Sequence, residues 1–579
     1  MKKLINQPAD VVREMLEGIA RRLPNLAILG DENVLVDRRQ NESADRRVAV
    51  ISGGGSGHEP AHGGYIGAGM LSAAVCGQVF TSPPTDAVLA AIRASAGPRG
   101  ALLIVKNYTG DRLNFGLAAE LARAEGIPVD VVIVADDVSL RAQMARDQWR
   151  GIAGTVLIHK LAGAAAARGL PLEQVARIAR EAASQLGSMG VALDGCTLPG
   201  VDQSGFTLAD DEIELGLGIH GEKGVERTKP MPVDELADTL IANLVEALAL
   251  QRGERVALLV NGLGATPQME LDIVLRAAHD NLARRDLCVE RAWAGTLLSA
   301  LNMPGCSISL LRVDDATLDL LDAPTDASAW PGGGAVNRAI RLDVPAGLSV
   351  PLADGNADAH PDARGESAAQ WRARLRPALE SVANVLIASE PRLTELDSRA
   401  GDGDLGASMK RAGEAILAVP AAALRSPDRA LAALSAALHK AIAGSSGPFY
   451  ATALMRASRR LGASAEPGAK EWAVAFEEAV QSISELGGAK AGDRTMLDAL
   501  WPAADTFEEA LSEGQSARDA WDAAVSAAQQ GAEKTAEMTP RAGRASYLGA
   551  RAVGVPDGGA VAVALWLDAL KPYIGTGTH

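Results

Sequence analysis

The chain has 579 residues, of which 47% are apolar and 22% charged, and its formal net charge is −16. At roughly 150 residues per domain, this length predicts about three or four folding units. The excess of acid excludes a nucleic-acid partner and disfavours docking on anionic lipid, because both surfaces are bound by clustered Lys and Arg.

The cysteines and the apolar runs indicate the compartment. The four cysteines lie far apart without C-x-x-C spacing, which favours neither a zinc site nor a disulfide framework. The amino-terminal residues lack the apolar core of a signal peptide, and no apolar run approaches the roughly 20 residues of a membrane span. We therefore expect a cytoplasmic protein with no membrane partner.

Residues 1–332 predict an α/β domain. Short runs rich in Val and Ile alternate with amphipathic stretches such as 87–94 and 117–124. This alternation is typical of buried parallel strands joined by crossover helices. The predicted strands cover residues 48–51, 101–105, 129–134 and 256–260.

A polar, glycine-rich loop, residues 52–60, is predicted to follow the strand that ends at Ile51. In open α/β sheets, ligands bind at the carboxyl ends of the strands. His58 is then placed to act as an acid or a base, while Gly55 and Gly57 let a small polar molecule touch the backbone.

The next predicted strand leads into Lys106 and Asp111. Parallel strands carry their loops to the same edge, so both side chains are expected to converge with His58 on one pocket. A carboxylate near a neutral imidazole forms a proton-shuttling pair, and Lys106 supplies a donor or a positive charge. The alternative is that Lys106 and Asp111 merely pair with each other.

His220 stands between glycines in residues 216–221, which predicts an exposed loop ring that can bind metal, take a proton or attack a carbonyl. The stretch matches G-x-G-x-x-G, but no convincing helix follows, so the match is interpreted as coincidental for dinucleotide binding. A loop histidine without a chemical role is the alternative. The other histidines carry no comparable motif: His62, His159, His279, His360, His439 and His579.

Residues 333–366 are rich in turn formers and predict a linker, with one short strand near 340–344. Residues 367–579 show Ala-rich helical periodicity and predict an all-α domain, a compact bundle or barrel with its functional loops at one end. The predicted helices cover 368–389, 430–443, 471–486, 506–513 and 516–530.

Three carboxylates, Asp397, Asp402 and Asp404, fall within eight residues of an acidic, glycine-containing loop that opens a helix. Oxygen ligands without His or Cys favour Mg²⁺ or Ca²⁺ over zinc. An EF-hand needs Gly at loop position six and Glu at twelve, and no starting aspartate here provides both. Mg²⁺ keeps coordination positions for phosphate oxygens, so the loop is predicted to present a nucleotide. A solvated acidic turn is the alternative.

Two further glycine-rich loops, 444–448 and 487–495, fall between predicted helices and suit phosphate oxygens. Plain interhelical turns are the alternative. No Gly-Lys dipeptide occurs in the chain, so a Walker A loop is excluded.

Taken together, these stretches resemble the dihydroxyacetone kinase family, in its single-chain, ATP-dependent form with a substrate-binding half fused to a nucleotide-binding half. The resemblance covers nearly the whole chain. It rests on residues 52–60, 80–83, 106–115, 151–155, 216–222, 397–406, 444–448, 492–500 and 543–547.

The resemblance implies a ketose held as a covalent hemiaminal on the ring nitrogen of His220. The matching residues that hold the substrate hydroxyls are Gly55, Ser56, Gly57, His58, Lys106 and Asp111, with His58 and Asp111 as acid/base partners. Asp397, Asp402 and Asp404 match the aspartates that hold two Mg²⁺ ions on ATP. The ATP-binding positions are Asp402, Gly403, Asp404, Leu405, Ser445, Ser446, Gly487, Thr495, Met496, Asp557 and Gly558. The implied carboxyl-terminal fold is an eight-helix antiparallel barrel, and a homodimer is expected.

Three positions depart from the family's usual pattern. Leu405 stands where Cys or His is common, Gly558 where Pro is more usual, and Lys223 where Pro is commoner, next to the histidine turn. The departures bear on fine substrate choice more than on the reaction class.

We therefore expect an ATP- and Mg²⁺-dependent kinase that phosphorylates dihydroxyacetone. One alternative is a kinase for a four-carbon ketose such as erythrulose, which needs only a roomier pocket. An alternative of another class is a non-catalytic ketone-binding regulator, and the presence of all three aspartates argues against it.

Overall fold

The computed structural model describes residues 2–39, 46–202, 204–341, 366–442, 444, 446–462, 464 and 466–575. The chain divides into two compact units, Met1–Leu342 and Asp343–His579. The predicted linker, 333–366, and the strand expected near 340–344 lie largely outside the described residues. Ile340 and Arg341, which are described, are not in a strand.

The first sheet of unit 1 has six strands in the order β1-β2-β4-β3-β5-β6. The strands are β1 (Leu26–Ile28), β2 (Val34–Asp37), β3 (Ala49–Ser56), β4 (Ala73–Val79), β5 (Ala101–Lys106) and β6 (Val129–Val134). The four strands from β4 to β6 pair in parallel, as predicted, whereas β1 and β2 add an antiparallel edge.

Helices cover both faces of this sheet. They are α1 (Val11–Arg22), α2 (Thr85–Ser95), α3 (Thr109–Ala124), α4 (Thr155–Ala167) and α5 (Leu172–Ser184). Alternate residues of one strand enter different cores, because successive side chains point to opposite faces. In β5, Leu102 packs in the core that contains α4, and Leu103 packs in the core that contains α2 and α3.

The second sheet of unit 1 has the order β11-β10-β12-β7-β8-β9. Its strands are β7 (Leu186–Ala192), β8 (Ile213–Leu215), β9 (Glu226–Thr228), β10 (Arg255–Gly262), β11 (Cys288–Gly295) and β12 (Gly305–Arg312). Its helices are α6 (Val233–Ala247), α7 (Gln268–Arg284) and α8 (Asp315–Leu321). Only β10 and β11 are parallel, so the expectation of parallel strands is wrong for most of this sheet. A strand buried on both faces gives the same continuous apolar run in either orientation.

The described part of unit 2 contains nine α-helices and no strand. They are α9 (Glu366–Ala388), α10 (Glu390–Ala400), α11 (Leu405–Leu417), α12 (Pro427–Ala441), α13 (Ser446–Leu461), α14 (Ala469–Gly487), α15 (Leu497–Ser512), α16 (Ala517–Lys534) and α17 (Gly558–Leu570). Eight of them, all except α10, form a closed ring in which each packs on the next and α17 packs on α9. The expected eight-helix barrel is confirmed, and it encloses an apolar cavity of about 570 Å³.

Several helix boundaries differ from the prediction. The helix expected at 506–513 begins at Leu497, with Pro502 inside it, because buried residues such as Leu500 extend its packed face. Residues 446–448 were expected in a loop but form the first turn of α13, where Pro448 is tolerated since no intrahelical N–H is needed there. Asp397 lies in the last turn of α10 rather than in a loop.

Candidate active site

The glycine-rich stretch after Ile51 continues β3 instead of forming the predicted loop. Gly53, Gly54 and Gly55 pair with β4, and only after Ser56 does the chain turn away. A Cβ atom at Gly54 would lie 2.7 Å from Nζ of Lys106 and 3.2 Å from Oδ2 of Asp111. The missing side chain therefore leaves room for these two groups beside the strand.

The other predicted substrate-binding residues in this segment, Gly55, Ser56 and Gly57, lie against neighbouring parts of the protein. A Cβ at Gly55 would lie 2.6 Å from the backbone nitrogen of Thr81, and one at Gly57 would lie 2.9 Å from the ring of Phe80. The hydroxyl of Ser56 donates to the carbonyl of Gly77 at 2.7 Å. These three residues thus bring the segment that carries Phe80 close to the pocket.

The structure brings His58, Lys106 and Asp111 together, as predicted. Lys106 ends β5 and is fully buried, and Asp111 lies in the first turn of α3. Nδ1 of His58 donates to the carbonyl of Ser299 at 2.8 Å, which leaves Nε2 as an acceptor. Nε2 of His58 and Oδ1 of Asp111 are buried without a partner among the described residues. Unpaired polar atoms in a pocket are positioned to receive a ligand's hydroxyls.

Burial lowers the pKa values of two basic groups in the pocket, His58 and Lys106. Burial, with smaller contributions from His220 and Lys106, lowers the pKa of His58 well below its usual value. Burial also lowers the pKa of Lys106, and the nearby Asp111 carboxylate opposes this shift. A neutral imidazole next to a carboxylate can accept or relay a proton at neutral pH.

His220 is half-buried within a group of rings, whereas an exposed loop ring was predicted. Its ring centroid lies 4.8 Å from that of His58, 5.1 Å from Phe80 and 4.6 Å from Tyr108, all in edge-on arrangements. Only 19% of its side chain is exposed. The surrounding rings restrict the orientation of the imidazole and place it beside His58.

Glu222 orients His220, a role that the sequence interpretation missed. Nδ1 of His220 lies 2.7 Å from Oε1 of Glu222, and the backbone N–H of His220 donates to Oε2 at 2.9 Å. Burial acts to raise the pKa of Glu222, but the side-chain hydrogen bond with His220, the charge of that ring and two backbone N–H groups together outweigh this and bring the pKa to about 2. The ionised carboxylate therefore holds the proton on Nδ1 and leaves Nε2 as a nucleophile.

An ion pair supports the turn that carries His220. Arg150 donates through Nε to Oδ2 of Asp137 at 2.8 Å and through Nη2 to the carbonyl of Gly216 at 2.7 Å. The Asp137 side chain is fully buried and that of Arg150 is 12% exposed. The same guanidinium also lies close to Glu222 at Gly218. Arg150 therefore fixes the start of the turn, although its sequence context gave no signal.

Asp397, Asp402 and Asp404 each offer one carboxylate oxygen, and these oxygens lie within 4.8 Å of one another. Asp397 also accepts from the backbone N–H of Leu405 at 3.2 Å, which ties the end of α10 to the start of α11. Gly403 has a φ of +79°, a conformation that glycine adopts without strain. An all-oxygen donor set of this size fits Mg²⁺.

Two further predicted nucleotide positions, Met496 and Asp557, lie on either side of Gly559 at the start of α17. Asp557 caps α17 by accepting from the N–H of Ala560 at 2.8 Å, and Met496 lies against Gly559. Burial raises the pKa of Asp557 to about 6, and Asp397 is one of the carboxylates that add to this shift. Asp557 therefore lies close enough to Asp397 for the charge of that carboxylate to affect it.

The loop that carries Thr495 is held by two residues that the sequence interpretation missed. The N–H groups of Gly492 and Thr495 donate to the carboxylate of Asp498 at 2.5 and 2.7 Å. Arg494 is fully buried and donates to backbone carbonyls between residues 535 and 555. These bonds connect the loop to the segment that leads to α17.

Two of the three unusual positions contact each other. A Cβ atom at Gly558 would lie 2.6 Å from Cδ2 of Leu405. Glycine at position 558 therefore makes room for the leucine side chain. Lys223, the third departure, is exposed.

The remaining nucleotide predictions lie at helix ends. Ser446 begins α13, and Phe449 in the same first turn packs against Gly487, the last residue of α14. Ser445 lies outside the described residues. The contact through Phe449 joins two of the loops that the sequence interpretation assigned to phosphate.

A hydroxyl that attacks a nucleotide and a metal that holds the nucleotide are the two requirements of phosphoryl transfer. Unit 1 brings together buried acceptor atoms without a described partner, and unit 2 contains three aspartates whose oxygens form a donor set that fits Mg²⁺. This division defines the class of the protein as a phosphotransferase that acts on an alcohol group.

Comparisons with known proteins identify the family. Residues 17–329 match the Dak1 domain and residues 399–571 match the DAK2 domain. The chain is 44% identical to a putative 3,4-dihydroxy-2-butanone kinase of Solanum lycopersicum, over 98% of this chain and 97% of that protein. It is 41% identical to the triokinase/FMN cyclase of Mus musculus, over 99% of both chains.

Among solved structures, the dihydroxyacetone kinase of C. freundii in complex with AMP-PNP and Mg²⁺ aligns with a TM-score of 0.63 and 35% identity, over 99% of both chains. The chain therefore belongs to the dihydroxyacetone kinase family, in the form that joins both domains in one polypeptide. The resemblance inferred from the motifs is confirmed.

Proposed function

We propose that this protein transfers the γ-phosphoryl group of ATP to a terminal hydroxyl of dihydroxyacetone, which is held as a covalent hemiaminal on His220. The observation that carries the proposal is the bond between Nδ1 of His220 and the Glu222 carboxylate at 2.7 Å. It gives an imidazole whose Nε2 is free to attack, next to a pocket of unpaired polar atoms.

The chemistry of adduct formation follows from these groups. The Nε2 lone pair of His220 forms a bond to the ketone carbon, and the carbonyl π electrons move to oxygen, which takes a proton from the Lys106 ammonium, an acid strengthened by burial. The proton on Nδ1 remains shared with Glu222, whose negative charge stabilises the cationic ring. Glycerol has similar hydroxyls but no carbonyl, so this step distinguishes the two molecules.

Transfer needs a base and a fixed hydroxyl. His58 and Asp111 have buried, unpaired acceptor atoms that can hold the terminal hydroxyl and remove its proton. Lys106 donates to a second substrate oxygen. Covalent attachment at one carbon and hydrogen bonds at the others leave the attacking hydroxyl little freedom, which favours an in-line approach.

Asp397, Asp402 and Asp404 would hold Mg²⁺, for which we infer two ions on the ATP phosphates. Bound Mg²⁺ supplies charge neutralisation to the phosphates in the transition state. Asp557 lies near Asp397. We propose that the nucleotide is contacted by Asp557 and by Thr495, Met496, Gly403, Leu405, Ser445, Ser446, Gly487 and Gly558.

The first experiment measures ATP- and Mg²⁺-dependent turnover of dihydroxyacetone, D- and L-erythrulose and glycerol by wild type and His220→Ala. We expect turnover of a ketose but not of glycerol, with severe loss in the variant. Turnover of glycerol, or an unimpaired His220→Ala enzyme, would contradict the covalent proposal.

A kinase for a four-carbon ketose is the second candidate, since the tomato relative is named for a four-carbon dihydroxyketone. The same assay decides between them by the ratio of kcat/KM on dihydroxyacetone and on erythrulose. A higher value for erythrulose would transfer the assignment to the four-carbon substrate.

A regulator that binds ketone without phosphorylating it has no need of the aspartate cluster. Asp402→Ala is therefore expected to abolish turnover while the ketone adduct still forms, observed by ¹³C NMR of [2-¹³C]dihydroxyacetone. Wild-type protein that forms the adduct but never turns over would support the regulator instead.

Assembly and compartment stay predictions. We infer a homodimer, which sedimentation velocity tests, and a cytoplasmic location, which fractionation tests. Within the described residues, the helices are all too short or too polar to cross a membrane.

A further inference from the structure

A series of buried polar side chains extends from Lys106 through His62 and Ser52 to His159. Nζ of Lys106 is 2.8 Å from Nε2 of His62, and Oγ of Ser52 is 3.5 Å from Nδ1 of His62 and 3.1 Å from Nε2 of His159. All four residues are at most 3% exposed. Neither histidine carried a sequence motif, and neither has a role in the proposed reaction.

The direction of each hydrogen bond follows from what each group can donate. Lys106 can only donate, so Nε2 of His62 must accept and the ring proton sits on Nδ1. The hydroxyl of Ser52 donates to the carbonyl of Ile104 at 2.7 Å, so it accepts from both imidazoles. His159 therefore carries its proton on Nε2. All the hydrogen bonds among Lys106, His62, Ser52 and His159 are therefore compatible with Nε2 of His62 as the acceptor for Lys106.

This arrangement leaves one N–H of Lys106 for substrate. A second N–H of Lys106 donates to the carbonyl of Gly53 at 3.2 Å. With two of three donors bound to fixed protein acceptors, the ammonium cannot rotate freely. Burial, followed by the nearby charge of Lys106, lowers the pKa of His62 well below its usual value, so the imidazole stays a neutral acceptor.

We propose that His62, supported by Ser52 and His159, is a positioning residue that holds Lys106 in the orientation needed to bind the ketose hydroxyl. The proposal rests on the proposed function of the pocket. It predicts that loss of the acceptor weakens ketose binding and leaves the nucleotide site, in the other unit, unchanged.

Three substitutions at position 62 distinguish loss of the hydrogen bond to Lys106 from loss of side-chain packing. Gln places its amide oxygen near the position of imidazole Nε2 and keeps an acceptor for Lys106. Asn can place its NH₂ group near the position of Nδ1 and keeps only the bond donated to the Ser52 hydroxyl, and Leu removes both. We expect the ketose KM to rise about 10- to 150-fold in His62→Asn and His62→Leu, the range for loss of a hydrogen bond to a charged group. In His62→Gln it should stay within about threefold of wild type.

Tyr65→Phe is the matched control. Tyr65 is buried beside His159, and its hydroxyl donates to the carbonyl of Leu297 at 2.6 Å, so the variant loses a buried hydrogen bond that has no link to Lys106. We expect lower thermal stability and an unchanged ketose KM. A rise in ketose KM equal to that of His62→Asn would show general loosening of the core and overturn the proposal.

The readouts are the KM values for ketose and for MgATP, and ATP-independent adduct formation by ¹³C NMR. A ketose KM in His62→Asn equal to wild type, a His62→Gln variant as impaired as His62→Asn, or an equal rise in the KM for MgATP would each overturn the proposal. If His62→Leu does not fold, the comparison of Gln with Asn still decides. Wild-type protein with neither adduct nor turnover would refute the proposed function itself, which is a separate result.

Discussion

Replacing Glu222 by Gln tests the nucleophile assignment, because the substitution keeps the shape of the side chain and reverses one hydrogen bond. Oε2 of Glu222 accepts from the backbone N–H of His220, which can only donate. The amide oxygen of Gln must take that position to avoid two facing donors. Its NH₂ group then faces Nδ1 of the imidazole, and the ring proton moves to Nε2. An imidazole protonated on Nε2 has no lone pair to attack the ketone.

The expected size of the effect has two parts. The lost charge-assisted bond is worth about 1.5–3 kcal/mol, or roughly 10- to 150-fold in kcat/KM. Glu222 keeps 35% of its side chain exposed, so screening by solvent moves this part toward its lower end. Inversion of the tautomer adds to the loss, and a decrease of about tenfold in kcat/KM is therefore the smallest that the structure allows.

The assay combines kcat/KM for dihydroxyacetone with adduct formation followed by ¹³C NMR, in wild type, Glu222→Gln and Glu214→Gln. Glu214 is the matched control, since it is 2% exposed and accepts from the N–H of Gly224 at 2.6 Å without touching the imidazole. We expect the adduct to be depleted in Glu222→Gln only. Wild-type adduct and a kcat/KM within about threefold of wild type in that variant would refute the tautomer argument.

Other substitutions test the supporting structure. Arg150→Met leaves a buried Asp137 without its cation and should lower the free energy of unfolding, measured by urea titration, by about 3–5 kcal/mol. Adding Asp137→Leu should recover part of this loss. Strictly additive losses in the double variant would contradict the pairing. Gly558→Ala places a Cβ 2.6 Å from Cδ2 of Leu405 and should raise the KM for ATP. Adding Leu405→Ala should remove this steric conflict and lower the KM again. A double variant with the same KM as Gly558→Ala would exclude the steric cause. Burial raises the pKa of Asp136 from 3.8 to about 6, so the folded state binds this proton more tightly than the unfolded chain does. The carboxyl's contribution to the free energy of unfolding should therefore fall by at most about 3 kcal/mol between pH 4 and pH 6 and stay level above, and Asp136→Asn should remove this pH dependence.

Patterns in the sequence predicted that the pocket residues lie close together, but they did not predict the contacts that support those residues. His58, Lys106 and Asp111 each follow or end a strand of one parallel sheet, and strand direction alone places them at one edge. The partner of Lys106, His62, lies 44 residues away in sequence, and its importance depends on which face of β3 it packs against. No pattern within a sequence window contains that information.

Glu222 differs from His62 in this respect, because the signal for it was present. A carboxylate two residues after a loop histidine is within reach of Nδ1 if the backbone turns, and the glycines around His220 permit such a turn. The helical position of Asp397 was not readable, since an acidic stretch with glycines predicts a loop and only the contact with Leu405 shows how the last turn of α10 takes part.

The proposed ketose site of unit 1 and the aspartate cluster of unit 2 depend on different physical effects, so experiments can test them separately. In unit 1 burial lowers the pKa values of His58 and Lys106, and the proposed chemistry needs a neutral imidazole at His58 and a hydrogen-bond donor at Lys106. In unit 2 Asp402 and Asp404 are exposed carboxylates, which we propose a divalent cation neutralises. Chelation of Mg²⁺ should therefore stop turnover and leave the hemiaminal intact, whereas acidification should protonate the bases of unit 1 and reduce adduct formation even with Mg²⁺ absent. An adduct that disappears on chelation would mean that the ketose site depends on the metal. That result would contradict the proposal that unit 1 binds the ketose and unit 2 binds the metal and nucleotide.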